Sequence, residues 1–231
     1  MPISLCMFGD SVARGVVFDA VREKYLFLKD SFISLVGGAA SVCVDNYAKF
    51  GCTVTKGNEI VKKHAAKLGG YDAIALEFGG NDCDYDWAAI SRDPKAKHLP
   101  KTPLAAFEDV YAGIIREVRA SGARPAVFTL PPIDAERYFA HLSRGLNREN
   151  ILLWLGDIGR IYRWHERYNT AVCAVAAREG ALTVDIRTAF LERDDYRSLI
   201  CEDGIHPTQK GHALIADVVE GYLGRAALTH G

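Results

Sequence analysis

Five short apolar runs recur along the chain, at residues 3–8, 41–47, 71–78, 126–130 and 182–186, each bounded by turn residues. Runs this short and this continuously apolar read as parallel strands buried on both faces. Between them the apolar positions return at helical spacing. Residues 55–68 place Ile60, Val61, His64, Ala65 and Leu68 on one face and stop at Gly69-Gly70. Residues 103–121 carry Leu104, Phe107, Val110, Tyr111, Ile114, Ile115 and Val118, with Thr102 as the expected cap and Gly122 as the stop. A third helix is predicted from about Arg160 to Glu179, ahead of Gly180. A last one should start near Pro207 or Thr208 and bury Leu214, Ile215, Val218, Val219 and Leu223. Strand and helix alternate throughout, which predicts an α/β fold with a five-stranded parallel sheet between helices. There is no repeat, low-complexity tract or linker, so residues 1–231 are expected to form one domain.

Two connections exceed what a simple turn needs: residues 84–101 and residues 134–159. Both leave the carboxyl ends of predicted strands, the edge at which open α/β sheets bind ligands. The second is rich in apolar side chains, among them Tyr138, Leu152, Leu153 and Trp154. It reads equally as a lid over a site or as a helical hairpin packed on the domain. On the first reading Tyr138 and Trp154 are candidate substrate-binding residues.

Composition narrows the partners more than it identifies them. A net charge of −1 offers nothing to a nucleic acid or an anionic membrane surface. No apolar run approaches the ~18 residues of a membrane span. Residues 1–8 are apolar but lack a basic leader and a cleavage site, so they read as the first core strand. This favours a cytoplasmic protein, although a mature secreted chain would look the same. The six cysteines show no paired spacing and read as reduced thiols. Cys52, Cys83 and Cys201 lie near candidate site residues, yet their spacing fits no zinc pattern.

Four segments at strand ends or helix starts carry the chemistry: Phe8-Gly9-Asp10-Ser11, Phe50-Gly51-Cys52-Thr53, Phe78-Gly79-Gly80-Asn81-Asp82 and Asp203-Gly204-Ile205-His206-Pro207. Ser11 follows a strand, where a turn into a helix would expose its hydroxyl. A serine is a poor nucleophile until a base takes its proton. His206 is the candidate base and Asp203 the carboxylate that orients its ring. By itself Asp-x-x-His also reads as a helix cap beside a surface histidine, with Pro207 in the first turn. The N–H groups of Ser11 and Gly51 and the side-chain amide of Asn81 are candidate oxyanion donors. Gly51 and Asn81 are also ordinary turn residues; it is the four segments together, in this order, that favour acyl transfer. Asp10 is expected to accept backbone amides in its turn, and Asp82 to stabilise its loop. His64 and His165 read as packing residues; His141, in the second long connection, could touch substrate, but a surface place is preferred.

These segments resemble the four sequence blocks of the SGNH, or GDSL, hydrolase superfamily, from residue 8 to residue 207. Val12 stands where the family's first block usually has Leu. The resemblance implies a flavodoxin-like three-layer α/β/α domain without metal or organic cofactor. It also implies Ser11 as nucleophile, Gly51 and Asn81 as oxyanion donors, His206 as base and Asp203 as its orienting partner. The second glycine of G-x-S-x-G is missing, which separates the chain from the α/β-hydrolase elbow.

The expected activity is hydrolysis of a small or medium acyl ester through an acyl-enzyme, acetylated carbohydrates being among the candidate substrates. Acyl transfer to an alcohol or sugar hydroxyl would use the same residues. A non-catalytic binding module with a phosphate at the Ser11 turn is the third reading, though it leaves the Asp-x-x-His loop without a purpose.

Overall fold

The computed structural model describes residues 2–39 and 41–228. Its strands are β1 (Ile3–Gly9), β2 (Val16–Asp19), β3 (Lys24–Phe27), β4 (Val42–Asn46), β5 (Ala73–Glu77), β6 (Arg124–Phe128) and β7 (Leu182–Val184). Five of them form one parallel sheet in the order β4-β1-β5-β6-β7, while β2 and β3 make a separate antiparallel hairpin. Counting only sheet strands, the order is 2-1-3-4-5, the flavodoxin-like winding with its switch point beside the first strand.

Helices α1 (Ser11–Arg14), α2 (Phe32–Gly38), α3 (Val54–Lys63), α4 (Ala65–Leu68), α5 (Trp87–Arg92) and α6 (Leu104–Ala120) occupy the first half. The second half adds α7 (Ala135–Leu142), α8 (Arg148–Leu155), α9 (Gly159–Arg178), α10 (Ile186–Leu191) and α11 (Gln209–Leu228). Successive strand residues point to opposite faces, so β1 sends Cys6 and Phe8 to one core and Leu5 and Met7 to the other. The first core receives Phe107, Tyr111, Ile114 and Ile115 from α6 and Tyr168, Val172 and Val175 from α9. The second receives Phe32 and Val36 from α2 and Ile215 and Val219 from α11. Each such side chain, fully buried, contributes roughly 1.5–3 kcal/mol of transfer free energy.

Two local expectations change. The helix anticipated over residues 55–68 breaks at His64, whose backbone leaves the helical region (φ −104°, ψ 6°) while its ring stacks on Tyr47 at 3.8 Å. Thr102 does not cap α6. Its N–H is drawn to the Asp82 carbonyl at 3.1 Å, and extended Pro103 stands at the cap position.

The two long connections turn out to be helical. α5 comes from the first and α7 and α8 from the second, and they share an apolar cluster that includes Tyr85, Ile90, Phe139, Ile151 and Leu155. Hydrogen bonds stitch them together: Ser91 Oγ accepts the Asn147 N–H, and the Ser91 carbonyl accepts the Asn150 amide, both at 2.7 Å. No helix among the described residues is long and apolar enough to cross a membrane.

Candidate active site

At the carboxyl end of β1 the chain turns into α1, a single helical turn that presents Ser11. Asp10 makes the turn: its Oδ1 accepts the Val12 N–H at 2.9 Å. Gly9 is required by crowding, since a Cβ there would lie 2.6 Å from the Ala13 Cβ and 2.9 Å from the Glu77 carbonyl. Gly15, left-handed at φ 81°, ends the turn.

His206 approaches from the loop before α11. Asp203 shapes that loop by accepting the N–H groups of Ile205 and His206 through Oδ1, both at 3.2 Å. Its Oδ2 meets His206 Nδ1 at 2.5 Å, and His206 Nε2 faces Ser11 Oγ at 2.9 Å. All three side chains are buried. Burial pushes the Asp203 carboxyl upward, but the hydrogen bonds and charge of His206 and the loop amides outweigh it, leaving it below its ordinary value. The arrangement can therefore keep a carboxylate on Nδ1 while Nε2 takes a proton from Ser11.

Gly204 lets this loop lie against α7. It is left-handed at φ 80°, and a Cβ there would collide with the Tyr138 backbone nitrogen and come within 2.6 Å of the Asp134 carbonyl. The Gly204 carbonyl in turn accepts the Asp134 N–H at 2.8 Å. Arg137 reinforces the same seam through the carbonyls of Arg197 and Ile200 at 2.8 Å each.

Gly51 and Asn81 border the same cleft as Ser11 and His206. Among the described residues the N–H groups of Ser11 and Gly51 have no hydrogen-bond acceptor. Asn81 Nδ2 gives one hydrogen to Asp10 Oδ2 at 2.9 Å and keeps a second to offer. The reason for a glycine at 51 is its left-handed φ of 68°; a Cβ there would meet nothing within 4 Å. Asp82 ties the two donor loops together. Both its carboxylate oxygens accept the Val54 N–H, at 3.0 and 3.1 Å, and burial raises its carboxyl to about 6.

The cleft has a volume of about 380 Å³, and its walls hold residues that sequence reasoning had not singled out. From the β2–β3 hairpin, Tyr25 sets its ring against His206 (centroids 5.2 Å apart) and its hydroxyl on His141 Nε2 at 3.1 Å. His141, for which the sequence favours a surface place over a substrate contact, lines the cleft, as does Phe50. Burial holds His141 below its ordinary value, so it stands there neutral. Asp84 is a polar hub on the opposite wall. It accepts Tyr138 Oη and Trp87 Nε1 at 2.7 Å each and Lys101 Nζ at 2.8 Å.

Tyr138 thus reaches the cleft, while Trp154 lies behind it, its ring 4.8 Å from Tyr85 and 6.1 Å from Trp87. These aromatics enclose a recess of about 40 Å³ that shares Gly80, Tyr138 and His165 with the cleft. His165 is buried without a hydrogen-bond partner, and burial, helped by Arg187, lowers it to about 3. Among the described residues no three histidine, cysteine or acidic side chains gather as a metal site. Burial raises the Cys52 thiol to about 12 and Cys201 to about 11, so both stay protonated.

The profile of the GDSL-like lipase/acylhydrolase family matches residues 7–214. A GDSL esterase/lipase from Arabidopsis thaliana, CPRD49, is 24% identical over 146 residues, covering 62% of this chain; the match spans half the length of that curated relative. A lipase/acylhydrolase from Enterococcus faecalis superposes with a TM-score of 0.67 at 20% identity, over 96% of each chain. An acetyl-xylooligosaccharide esterase from Geobacillus superposes with a TM-score of 0.64 at 18% identity, over 95% of this chain and 94% of the other. At such identities the structural likeness establishes the shared fold.

Proposed function

This chain belongs to the GDSL-like lipase/acylhydrolase family, and from that premise we propose that it is a serine carboxylic ester hydrolase working through an acyl-enzyme. The observation that carries the reading is the line from Asp203 through His206 to Ser11 Oγ, at 2.5 and 2.9 Å, opening on a cleft with unused N–H donors. Ser11 Oγ attacks the ester carbonyl as His206 Nε2 takes its proton. The oxyanion forms against the Ser11 and Gly51 N–H groups and the free hydrogen of the Asn81 amide. His206 then protonates the departing alcohol, and a water activated by the same nitrogen releases the acid. Asp203 keeps the ring oriented and favours its charged form in both steps.

The walls support a narrower substrate class. The aromatic recess behind Tyr138, at about 40 Å³, suits a short acyl group. The outer rim offers the partly exposed rings of Tyr25 and Phe50, with Asp84 and Lys101 as polar partners. Flat aromatic faces beside hydrogen-bonding groups fit a hydroxyl-rich alcohol, so the preferred substrate is a short acyl ester of a carbohydrate. The test is a 4-nitrophenyl ester series from acetyl to octanoyl run beside acetylated xylose and xylo-oligosaccharides. Acetyl substrates should give the highest kcat/KM and the oligosaccharides should be deacetylated. A maximum at octanoyl would overturn the short-acyl assignment. Absence of any turnover, with no single fluorophosphonate adduct on Ser11, would overturn the hydrolase reading itself.

A further inference from the structure

Beneath the cleft lies a buried carboxyl pair that the steps above do not use. Glu77 ends β5, opposite Gly9 in the register with β1, and is 1% exposed; Asp10 is 2% exposed. The Asp10 N–H points at Glu77 Oε2 at 3.4 Å, which sets the two carboxyl groups side by side in one buried site. Asp10 Oδ1 is occupied by the Val12 N–H and Oδ2 by the Asn81 amide, both at 2.9 Å. A chain of contacts therefore runs from Glu77 through Asp10 to one of the proposed oxyanion donors.

We propose that Glu77 is a positioning residue for the oxyanion hole: by hydrogen-bonding Asp10 it fixes the carboxylate that holds Asn81, and so sets where Asn81 aims its second amide hydrogen. This rests on the ester-hydrolase reading of the site. Two adjacent buried carboxyl groups share a proton, since two buried anions this close repel. Glu77, the more strongly raised of the two, is assigned the proton. Burial and the neighbouring Asp10 charge raise the Glu77 carboxyl well above its ordinary value. Asp10 is also raised by burial, but Glu77, Val12, Asn81 and the nearby His206 favour its ionised form. A protonated Glu77 donates to Asp10, and an ionised Asp10 is the stronger acceptor for Asn81.

The other ionisable groups around the pair are Asp82 and Cys83 after β5, Cys52 in the Gly51 loop, Tyr111 on α6 and His206 facing Asp10. Cys52 is held up at about 12, and Tyr111 also stays neutral through burial, so neither adds a charge beside the pair. The sign follows from linkage. Glu77 keeps a proton in the folded state that the unfolded chain has lost, so its contribution to stability declines as pH rises from the unfolded value through the folded one. Activity should fall over the same rise in pH as Asn81 loses its fixed direction.

Steady-state kinetics on purified Glu77→Leu, Glu77→Gln and Asn81→Ala, singly and combined, provide the test, with thermal unfolding in parallel. Glu77→Leu should lower kcat roughly 10- to 100-fold with KM within about twofold, the size expected for a lost hydrogen bond to a charged group. Glu77→Gln, whose amide still donates to Asp10, should recover most of that loss and remove the alkaline fall in kcat. In the Asn81→Ala background Glu77→Leu should have almost no further effect, because it acts through that amide. Additive losses in the double variant would overturn the proposal, as would an unchanged alkaline limb in Glu77→Gln, which decides the matter even if the leucine variant does not fold. If Asn81→Ala alone keeps full kcat while Ser11 still turns over, the oxyanion role of Asn81 falls and Glu77 with it.

Discussion

Ser11, Asn81 and His206 reach the cleft from the ends of β1 and β5 and from the loop before α11, and backbone geometry sets each of them. Tyr25, His141 and Tyr138 reach the same cleft from the β2–β3 hairpin and from α7, which make no strand pairing with the sheet. The floor is close-packed: Asp10, Asp82 and Asp203 are each 2% exposed or less, Asp10 and Asp203 accept amides of their own loops, and Asp82 accepts the Val54 N–H of the neighbouring one. Beyond the Asp134–Gly204 seam, the walls meet through side chains, such as the Tyr25–His141 contact and the exposed Arg144–Glu23 pair. An ion pair that exposed contributes little to holding its segment. The difference assigns separate duties. A floor fixed by backbone suits chemistry that tolerates no displacement, and walls made of replaceable side chains suit the choice of substrate.

The comparison breaks first if a floor residue proves dispensable. Ser11→Ala should cost about 10⁶ in kcat and abolish the fluorophosphonate adduct, since a triad member removed alone costs nearly as much as the whole set. Mass spectrometry of the labelled protein checks both points, and an adduct on another serine would remove Ser11 from the mechanism. Asn81→Ala comes next, with an expected loss of roughly 10²–10³ in kcat, or about 3–4 kcal/mol, because the contact strengthens only as the oxyanion forms. A change confined to KM would move Asn81 from chemistry to binding, and blur the division between floor and walls.

A subtler test lies at the seam where the two regions meet. Gly204→Ala places a Cβ against the backbone of Tyr138 and Asp134 at a left-handed φ of 80°. Left-handed strain alone costs about 1–2 kcal/mol, and the backbone collision adds to it. A melting temperature lower by roughly 4–8 °C is expected for a chain of this size. kcat should fall more than KM rises, because the displaced loop carries both Asp203 and His206. An alanine variant with native melting and native kcat would mean that α7 does not brace the loop.

The floor was legible from the sequence because its conformations admit few residue types. Gly9 has no room for a Cβ, Gly204 lies left-handed against α7, and Asp203 must sit three residues before His206 to bond both ring and backbone. The sheet was legible because its strands are buried on both faces. The hairpin escaped notice although Val16 to Phe27 carries strand-forming residues. Its turn has none of the usual Asn-Gly chemistry: Asp19 Oδ1 accepts the N–H groups of Val21 and Arg22, and Glu23 takes a positive φ of 50°. The helices in the long connections did leave signals, for Asp134 and Asn147 are N-caps whose side chains accept from Arg137 and Asn150. Glu77 was hidden for another reason. At the end of an apolar strand it looks like the polar boundary of a core element, and only the register with Gly9 brings it under Asp10.

The smallest expected effect concerns Trp154, which the sequence suggested as a wall and which stands behind Tyr138 instead. Its ring packs on Tyr85 and Trp87, and Arg160 lies over it at 4.7 Å. Removing the indole should enlarge the recess of about 40 Å³ without touching Ser11, His206 or the oxyanion donors. If the recess receives the acyl tail, each methylene newly accommodated is worth ~0.8 kcal/mol, or about fourfold in kcat/KM. Trp154→Ala should then favour butyrate over acetate by roughly 10-fold relative to the native protein, while fluorophosphonate labels Ser11 at an unchanged rate. Some stability will be lost as well, since deleting a large aromatic side chain from a packed cluster typically costs about 3–5 kcal/mol. The ratio of two esters cancels any loss of folded enzyme, which makes it the quantity to measure. A ratio that stays fixed while melting drops would make Trp154 a support for the helical insertion and leave Tyr138 as the inner limit of the cleft.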